Sequence, residues 1–461
     1  MHRALVVDEI LRQIFKELYN HYDYVTLETM GNLSRCCKMW KEPALDQLWS
    51  KLPSFAPLLS LLPCSALDGA RVTTVGCEPT VDDIRLFQSY AQRVRYLTCE
   101  PMSDSMVELL GEARRMTNSD CLLPGLVGFM GVAVTSGDIA QWSTIIGPNL
   151  QNVRVRISRN GGILRNCDAV ADWLGQLLTT ARRIETFEFR GCSSQRLNEL
   201  FASMTMLRSV IINIGVRGKL SEAALASMAT FPNLQSLRLK IGGLNAHAFR
   251  TALQENPDFK FPALEKLHID AHNDSIIDCI VDHLPRNTLW CFHVDFQGRS
   301  TSRSISTILD KIARKTGDTL QHLTIQHGGD LDDAEHAQID NSDPRIWTID
   351  TVRPLARIKT LVNFALDTPA PPVLEQKDVE EILGWWPHVE HVHLATGAAS
   401  NEEDTDLARS IAAQLETARG LKSLILPKVD ANGKPFDVAA LSRSPSPMTR
   451  SPSPTSCLDS D

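Results

Sequence analysis

The chain has 461 residues, enough to bury large cores and to hold more than one structural unit. Its formal net charge of -8 argues against a dedicated nucleic-acid surface, which would usually need a basic domain. The 11 cysteines are scattered without a C-x-x-C pair, so neither a disulfide framework nor a zinc finger is indicated. Such cysteines are typical of core thiols in a reducing compartment, and we expect a location in the cytoplasm or the nucleus.

We expect no membrane partner, because no segment of the sequence is predicted to span a membrane. The longest apolar run, residues 55–62, is far shorter than the ~20 residues of a membrane helix and contains Pro57. The acidic residues Asp8 and Glu9 come too early to leave room for the apolar region of a signal peptide.

Three short amphipathic helices are predicted in residues 1–49. Apolar or small residues recur there at helical spacing in three groups: Leu11, Ile14, Phe15 and Leu18; Leu33, Cys36, Cys37 and Trp40; and Ala44, Leu45, Leu48 and Trp49. The third group follows Pro43, which suits the first position of a helix. Three such helices bury little surface alone, so they should pack against a partner or the following domain.

Two submotifs of this segment resemble the F-box, the module that docks a protein onto the Skp adaptor of a ubiquitin ligase. Residues 9–15 read Glu-Ile-Leu-Arg-Gln-Ile-Phe, and residues 36–40 read Cys-Cys-Lys-Met-Trp. The following Glu-Pro-Ala-Leu-Asp of residues 42–46 is similar to F-box proteins of mushroom-forming fungi. The usual proline near the start is replaced by Val7 and Asp8, which leaves the strength of adaptor docking open.

The resemblance implies a set of residues that bind the adaptor or support its binding. They are Ile10, Leu11, Ile14, Phe15, Leu18, Leu33, Cys36 and Trp40. The alternative role for each is internal packing, above all for Trp40. The alternative for the whole segment is a generic three-helix cap on a larger domain.

A six-residue pattern, apolar-x-x-apolar-x-apolar, recurs at intervals of 23 to 41 residues. Its copies begin at Val94, Leu126, Leu150, Ile184, Leu207, Leu234, Leu264, Leu289, Leu320, Leu361, Val389 and Leu421. Helical stripes lie between copies, such as Val170, Trp173, Leu174, Leu177 and Leu178, or Ile305, Ile308, Leu309 and Ile312. A strand-helix unit of this length cannot bury its apolar face alone and must stack on its neighbours.

The repeats resemble a leucine-rich-repeat solenoid, an α/β fold with parallel strands inside and helices outside. The usual asparagine after the strand is absent, so we expect an irregular solenoid over residues 94–440. Residues 50–93 are predicted to be a helical linker or cap, 328–345 an acidic surface insertion, and 441–461 a disordered Ser/Pro tail. A doubly wound α/β domain is the alternative fold, but no glycine-rich phosphate loop favours it.

No catalytic motif is found, so we expect no enzymatic activity, no cofactor and no metal. Strand alternation would bring His268 and Asp270 beside His293 and Asp295, and a further group is His388, His391 and His393. A metal site at the first group is geometrically conceivable. Polar residues on a solvated sheet face are the interpretation that we favour for both groups.

In a leucine-rich repeat, the x positions of the strands face the partner. Their charged residues here are Arg154, Arg156, Glu188, Arg190, Arg238 and Lys240, then Lys266, His268, Asp270, His293, Asp295, His322, His391 and His393. We expect the target to contact Arg154, Arg156, Arg190, Arg238, Lys240, His268, His293 and His322. The hypothesis is that an acidic segment, phosphorylated or not, binds near Arg154, Arg190 and Arg238.

Together, the resemblances predict the substrate receptor of a Skp-cullin-F-box ubiquitin ligase. The adaptor and, through it, a cullin would be partners, and the receptor would act by holding a target lysine near the loaded enzyme. One rival is a solenoid scaffold with no role in ubiquitination. The other is an enzyme with an unrecognised site at the histidines.

Overall fold

A computed structural model describes residues 7–18, 24–63, 65–68, 71–74, 79–117, 121–158, 163–214, 219–254, 260–296, 300–327, 344–368, 372–396 and 420–426. The chain divides into two compact units. Unit 1 is Met1–Leu244 with Thr251–Pro262, and unit 2 is Asn245–Arg250 with Ala263–Asp461. The predicted Ser/Pro tail and nearly all of the predicted acidic insertion lie outside the described residues.

Unit 1 begins with three helices, as the sequence predicts: α1 (Asp8–Leu18), α2 (Tyr24–Cys36) and α3 (Lys38–Ser50). The second predicted pattern is broken at Cys37, whose extended backbone separates α2 from α3. Pro43 was expected at a first helical position and instead lies inside α3. Pro43 is buried there, and its ring removes one backbone amide donor from the helix.

Strands interrupt residues 50–93, which the sequence analysis expected to be helical. They are β1 (Lys51–Leu52) and the antiparallel pair β2 (Ser65–Asp68) and β3 (Arg71–Thr74). Two helices, α4 (Ala56–Leu59) and α5 (Val81–Ala91), complete the segment. β1 pairs in parallel with the first repeat strand, so the parallel sheet of unit 1 begins before the first predicted copy.

Parallel strands and intervening helices form the rest of unit 1. The strands are β4 (Tyr96–Cys99), β5 (Gly128–Ala133), β6 (Asn152–Ile157), β7 (Thr186–Gly191), β8 (Ser209–Ile214) and β9 (Ser236–Ile241), paired in chain order. The helices are α6 (Asp104–Thr117), α7 (Ser136–Gln141), α8 (Ile163–Thr180), α9 (Gln195–Ser203) and α10 (Glu222–Met228), with a 3-10 turn at Trp142–Thr144. Helix α11 (Ala246–Gln254) contributes residues to both units.

Unit 2 repeats the same alternation. Its strands are β10 (Lys266–Ala271), β11 (Cys291–Phe296), β12 (His322–Gln326), β13 (Asn363–Thr368), β14 (His391–Thr396) and β15 (Ser423–Ile425), also parallel and paired in chain order. Its helices are α12 (Asp274–His283), α13 (Ser302–Thr316), α14 (Ile349–Val352) and α15 (Gln376–Trp385), with a 3-10 turn at Arg353–Arg357.

The predicted solenoid is confirmed. Each copy of the six-residue pattern contains a strand that starts two residues after its first apolar position. Along the strands, alternate apolar side chains are buried, and aromatic rings join strands to helices in the core. Phe129 of β5, for example, contacts Trp142 and Trp173 with ring centroids 5.5 and 5.7 Å apart.

Buried polar contacts take over part of the role of the missing asparagine ladder. Buried Asn198 in α9 donates to the Ser194 and Lys219 carbonyls and accepts from the Ser221 amide. Ser221 in turn caps α10 by accepting a hydrogen bond from the Ala224 amide. One side chain thus links two successive repeats.

Two cysteines differ from the expectation of isolated core thiols. Cys167 and Cys192 are both buried and are paired as a disulfide. Within the described ranges, no helix is long and apolar enough to cross a membrane.

Candidate functional site

The core of the N-terminal helices accounts for part of the predicted adaptor-binding set. Leu11 and Phe15 are fully buried against Met30 and Ala44. Around them pack Ile14, Leu33, Trp40 and Leu48, all partly buried. The Phe15 and Trp40 rings meet edge to face, with centroids 6.2 Å apart. These side chains build the fold of the module, so any part that Leu11 and Phe15 play in docking is to support the surface.

Three other members of the predicted set lie on the surface. Ile10 is 41% exposed, Leu18 is 55% exposed and the Cys36 thiol is also exposed. Val7, 39% exposed, directly precedes α1, and its carbonyl accepts a hydrogen bond from the Leu11 amide. We call Val7, Ile10 and Leu18 the apolar edge of α1.

The side chains of the apolar edge are not used to build the core of the three-helix module. The apolar arc of α1 extends from the buried Leu11 and Phe15 to Ile10 and Val7, and only the first part of it is covered. Apolar side chains that stay exposed along one helix are a feature of surfaces that bind a partner protein. Val7 could not be predicted as part of this surface from the F-box resemblance, because it stands where the family pattern has another residue.

Ion pairs connect helices α1 and α3 to the segment that follows them, as expected for a module with little core of its own. Arg93, just after α5, pairs with Glu42 and Asp46 of α3, and Arg12 of α1 also pairs with Asp46. The pKa of Arg12 is raised by its hydrogen bonds to Asp8 and Asp46. The network ties α1 and α3 to the start of the solenoid.

Three of the predicted basic residues of unit 1 converge on one buried carboxylate. Glu188 of β7 is 2% exposed, although its x position predicts a solvated side chain. Its carboxylate lies 2.6 Å from Arg190 Nε, 3.5 Å from Arg154 Nε and 3.5 Å from Arg156 Nη2. The strand register places Arg154 beside Glu188 and Arg156 beside Arg190, which brings the guanidinium groups together. We call Arg154, Arg156 and Arg190 the arginine cluster.

Two further strands continue this face. Ile211 of β8 is in register with Glu188, and Arg238 of β9 is in register with Ile211. Arg238 and Lys240 are exposed, whereas Ile211 is half-buried. Ile211 is not among the predicted target-binding residues, all of which are arginine, lysine or histidine.

In unit 2 the predicted histidines meet as the strand alternation requires. His268 and His293 are in register, and their rings are stacked with centroids 3.8 Å apart. Asp270 and Asp295 are likewise in register. His293 Nε2 is 3.1 Å from Gln326 Oε1. No group of three or more potential ligands among the described residues is arranged to hold a metal ion.

Two other histidines of this face, His322 and His393, favour the neutral form. His322 Nδ1 lies 2.8 Å from Asn363 Nδ2, which donates to a neutral ring. Burial lowers the pKa of His322, and Lys266 and His391 lower it further. Burial also lowers the pKa of His393, with Asp367 opposing the shift. Around neutral pH, His322 and His393 therefore provide hydrogen bonding rather than positive charge.

No family model matches the chain, and no curated protein is similar to it. Among solved structures, the yeast Rad7 and Elc1 complex is similar at 15% identity over 86% of this chain and 90% of that chain, with a TM-score of 0.43. A Bacteroides fragilis protein is similar at 9% identity over 68% and 67%, with a TM-score of 0.28. Both scores are too low to bear on function.

Proposed function

We propose that this chain is the substrate-recognition subunit of a Skp-cullin-F-box ubiquitin ligase. The observation that carries the proposal is the apolar edge of α1, which stays exposed on a module whose sequence resembles the F-box. The adaptor would cover Val7, Ile10 and Leu18, and Leu11 and Phe15 would hold α1 in position from below. The cullin would join through the adaptor.

The solenoid would supply the target-binding surface. Its strand faces present cations in unit 1 and mostly histidine, asparagine and aspartate in unit 2. In this proposal no residue of the chain makes or breaks a bond. Ubiquitin transfer is accelerated because a bound target lysine is held close to the loaded enzyme, which raises its effective concentration.

A pull-down with recombinant Skp adaptor tests the proposal. We expect wild-type chain to be retained, and Ile10→Asp and Leu18→Asp each to abolish retention, because both place a charge in an apolar contact. Met206→Asp is the matched control, since Met206 is 59% exposed but belongs to the loop between α9 and β8. Failure of wild-type chain to bind would favour the rival, a solenoid scaffold without a role in ubiquitination.

A further inference from the structure

We infer that the strand face of unit 1 binds an extended acidic segment of a partner protein at two anchor points about 12 Å apart. The first anchor is the arginine cluster, and the second is Arg238 on β9. The inference rests on the proposed function, because it gives the chemistry of the target that such a receptor recognises.

The first anchor carries unbalanced positive charge. Three guanidinium groups and one carboxylate, Glu188, leave a surplus of two positive charges, since three minus one is two. Glu188 is buried, whereas each arginine of the cluster is close to half exposed. The guanidinium N–H groups that face away from Glu188 can therefore reach a carboxylate of another chain, for which their fork geometry is suited.

The second anchor is a single exposed cation. Among the described residues, Arg238 has no ion-pair partner, and its side chain lies on the same strand face as the cluster. Lys240 follows two positions later on that face. A positive surface of this kind is not expected from the composition of the chain, whose net charge is -8. Charge complementarity therefore favours an acidic partner.

The strand register sets the spacing of the acidic residues. Neighbouring strands are ~4.8 Å apart, so β9 lies about 12 Å from the midpoint of β6 and β7. β8, with half-buried Ile211, lies about 7 Å from that midpoint. In an extended segment, residues i, i+2 and i+4 share a side and are ~6.7 Å apart. A segment that crosses the strands with the pattern acidic-x-apolar-x-acidic thus matches the cluster, Ile211 and Arg238 in turn.

Single-stranded nucleic acid fits this surface less well than an acidic polypeptide. Such ligands are held by aromatic side chains on which the bases stack. The x positions of β6 to β9 contain none: they are Asn152, Arg154, Arg156, Thr186, Glu188, Arg190, Ser209, Ile211, Asn213, Ser236, Arg238 and Lys240. The overall negative charge also opposes a polyphosphate chain.

Fluorescence anisotropy with the full chain and a labelled peptide tests the inference. The peptide has the core Glu-Ser-Leu-Ser-Glu with Gly-Ser flanks, and a second peptide moves the last glutamate one residue closer. We expect the second peptide, and the variants Arg154→Gln and Arg238→Gln, each to weaken binding at least about fivefold. Arg85→Gln, an exposed arginine of α5, is the matched control and should change binding less than about twofold.

Several results would overturn the inference. These are equal binding of both peptides, no effect of either arginine variant, and binding only when serine is phosphorylated. Preference for an oligonucleotide, or displacement of the peptide by a peptide of residues 330–343 of this chain, would assign the face to another occupant. The anisotropy measurement needs no adaptor, and the Leu18→Asp variant should bind the peptide normally. Failure of peptide binding can therefore be told apart from failure of adaptor docking.

Discussion

Replacing Glu188 by glutamine tests whether one buried carboxylate organises the basic face. Two unit charges 4 Å apart attract by ~4 kcal/mol at an effective dielectric constant of 20, but by only ~1 kcal/mol in water. Because the three arginines around Glu188 are close to half exposed, each pair contributes nearer to the lower value. The neutral amide also costs less to bury, which offsets part of the loss. We expect Glu188→Gln to lower the free energy of unfolding by about 1 to 3 kcal/mol.

Urea unfolding followed by circular dichroism measures the loss as a lower midpoint concentration. Glu185→Gln is the matched control, because Glu185 and its partner Arg208 are both about half exposed and 3.7 Å apart. We expect that control to change stability by less than about 0.5 kcal/mol. An unchanged or higher midpoint for Glu188→Gln would show that the carboxylate does not hold the arginine cluster together.

Three other predictions follow from local geometry. Gly131→Ala should destabilise unit 1 by about 1 to 3 kcal/mol, because the added carbon would lie 2.6 Å from the buried Trp142 ring. The pKa of His322 is lowered in the folded chain, so below about pH 6.5 the unfolded chain binds a proton that the folded chain does not. The free energy of unfolding should therefore fall as the pH decreases below about 6.5, and it should fall less steeply in the His322→Gln variant. Iodoacetamide should label exposed Cys36 but not Cys99, because burial raises the Cys99 pKa to about 12, and the adaptor should slow labelling of Cys36.

Each of these predictions has its own control and contrary result. Gly175→Ala, where no atom lies near the added carbon, should be neutral or stabilising, and an equal loss at both glycines would contradict the packing argument. If the free energy of unfolding depends on pH equally in wild type and in His322→Gln, protonation of the His322 ring does not cause the loss of stability at acidic pH. Labelling of Cys99 as fast as of Cys36 would show that the first strand of the repeat opens readily.

The repeat strands could be predicted because their pattern is imposed by packing. Positions such as Leu234, Leu237 and Leu239 must be apolar to fill the core between strands and helices, so the strand period is written into the sequence. Helix α2 was only partly predicted. Between residues 25 and 36, Met30 alone is fully buried, so packing imposes little apolar periodicity on that part of the helix. Strand β1 has two residues, too few to show a period.

Most residues of the candidate surfaces could be predicted from the sequence, but which of their side chains are buried could not. Ile10 and Leu11 are adjacent and equally apolar, and only the packing of α1 against α3 decides which of them faces water. From the sequence, Glu188 is predicted to be one more solvated charge. In the structure it is buried, and Arg154 of β6 lies beside it in the strand register. Side-chain placement of this kind depends on contacts between distant segments, which no local pattern contains.

Isothermal titration of the full chain with purified Skp adaptor measures whether the N-terminal helices dock the adaptor. We expect saturable one-to-one binding, with a negative heat-capacity change as the apolar edge of α1 becomes buried, and no binding of the Leu18→Asp variant. If the wild-type chain does not bind, or the variant binds equally well, the chain is not an adaptor-docked receptor that uses this edge.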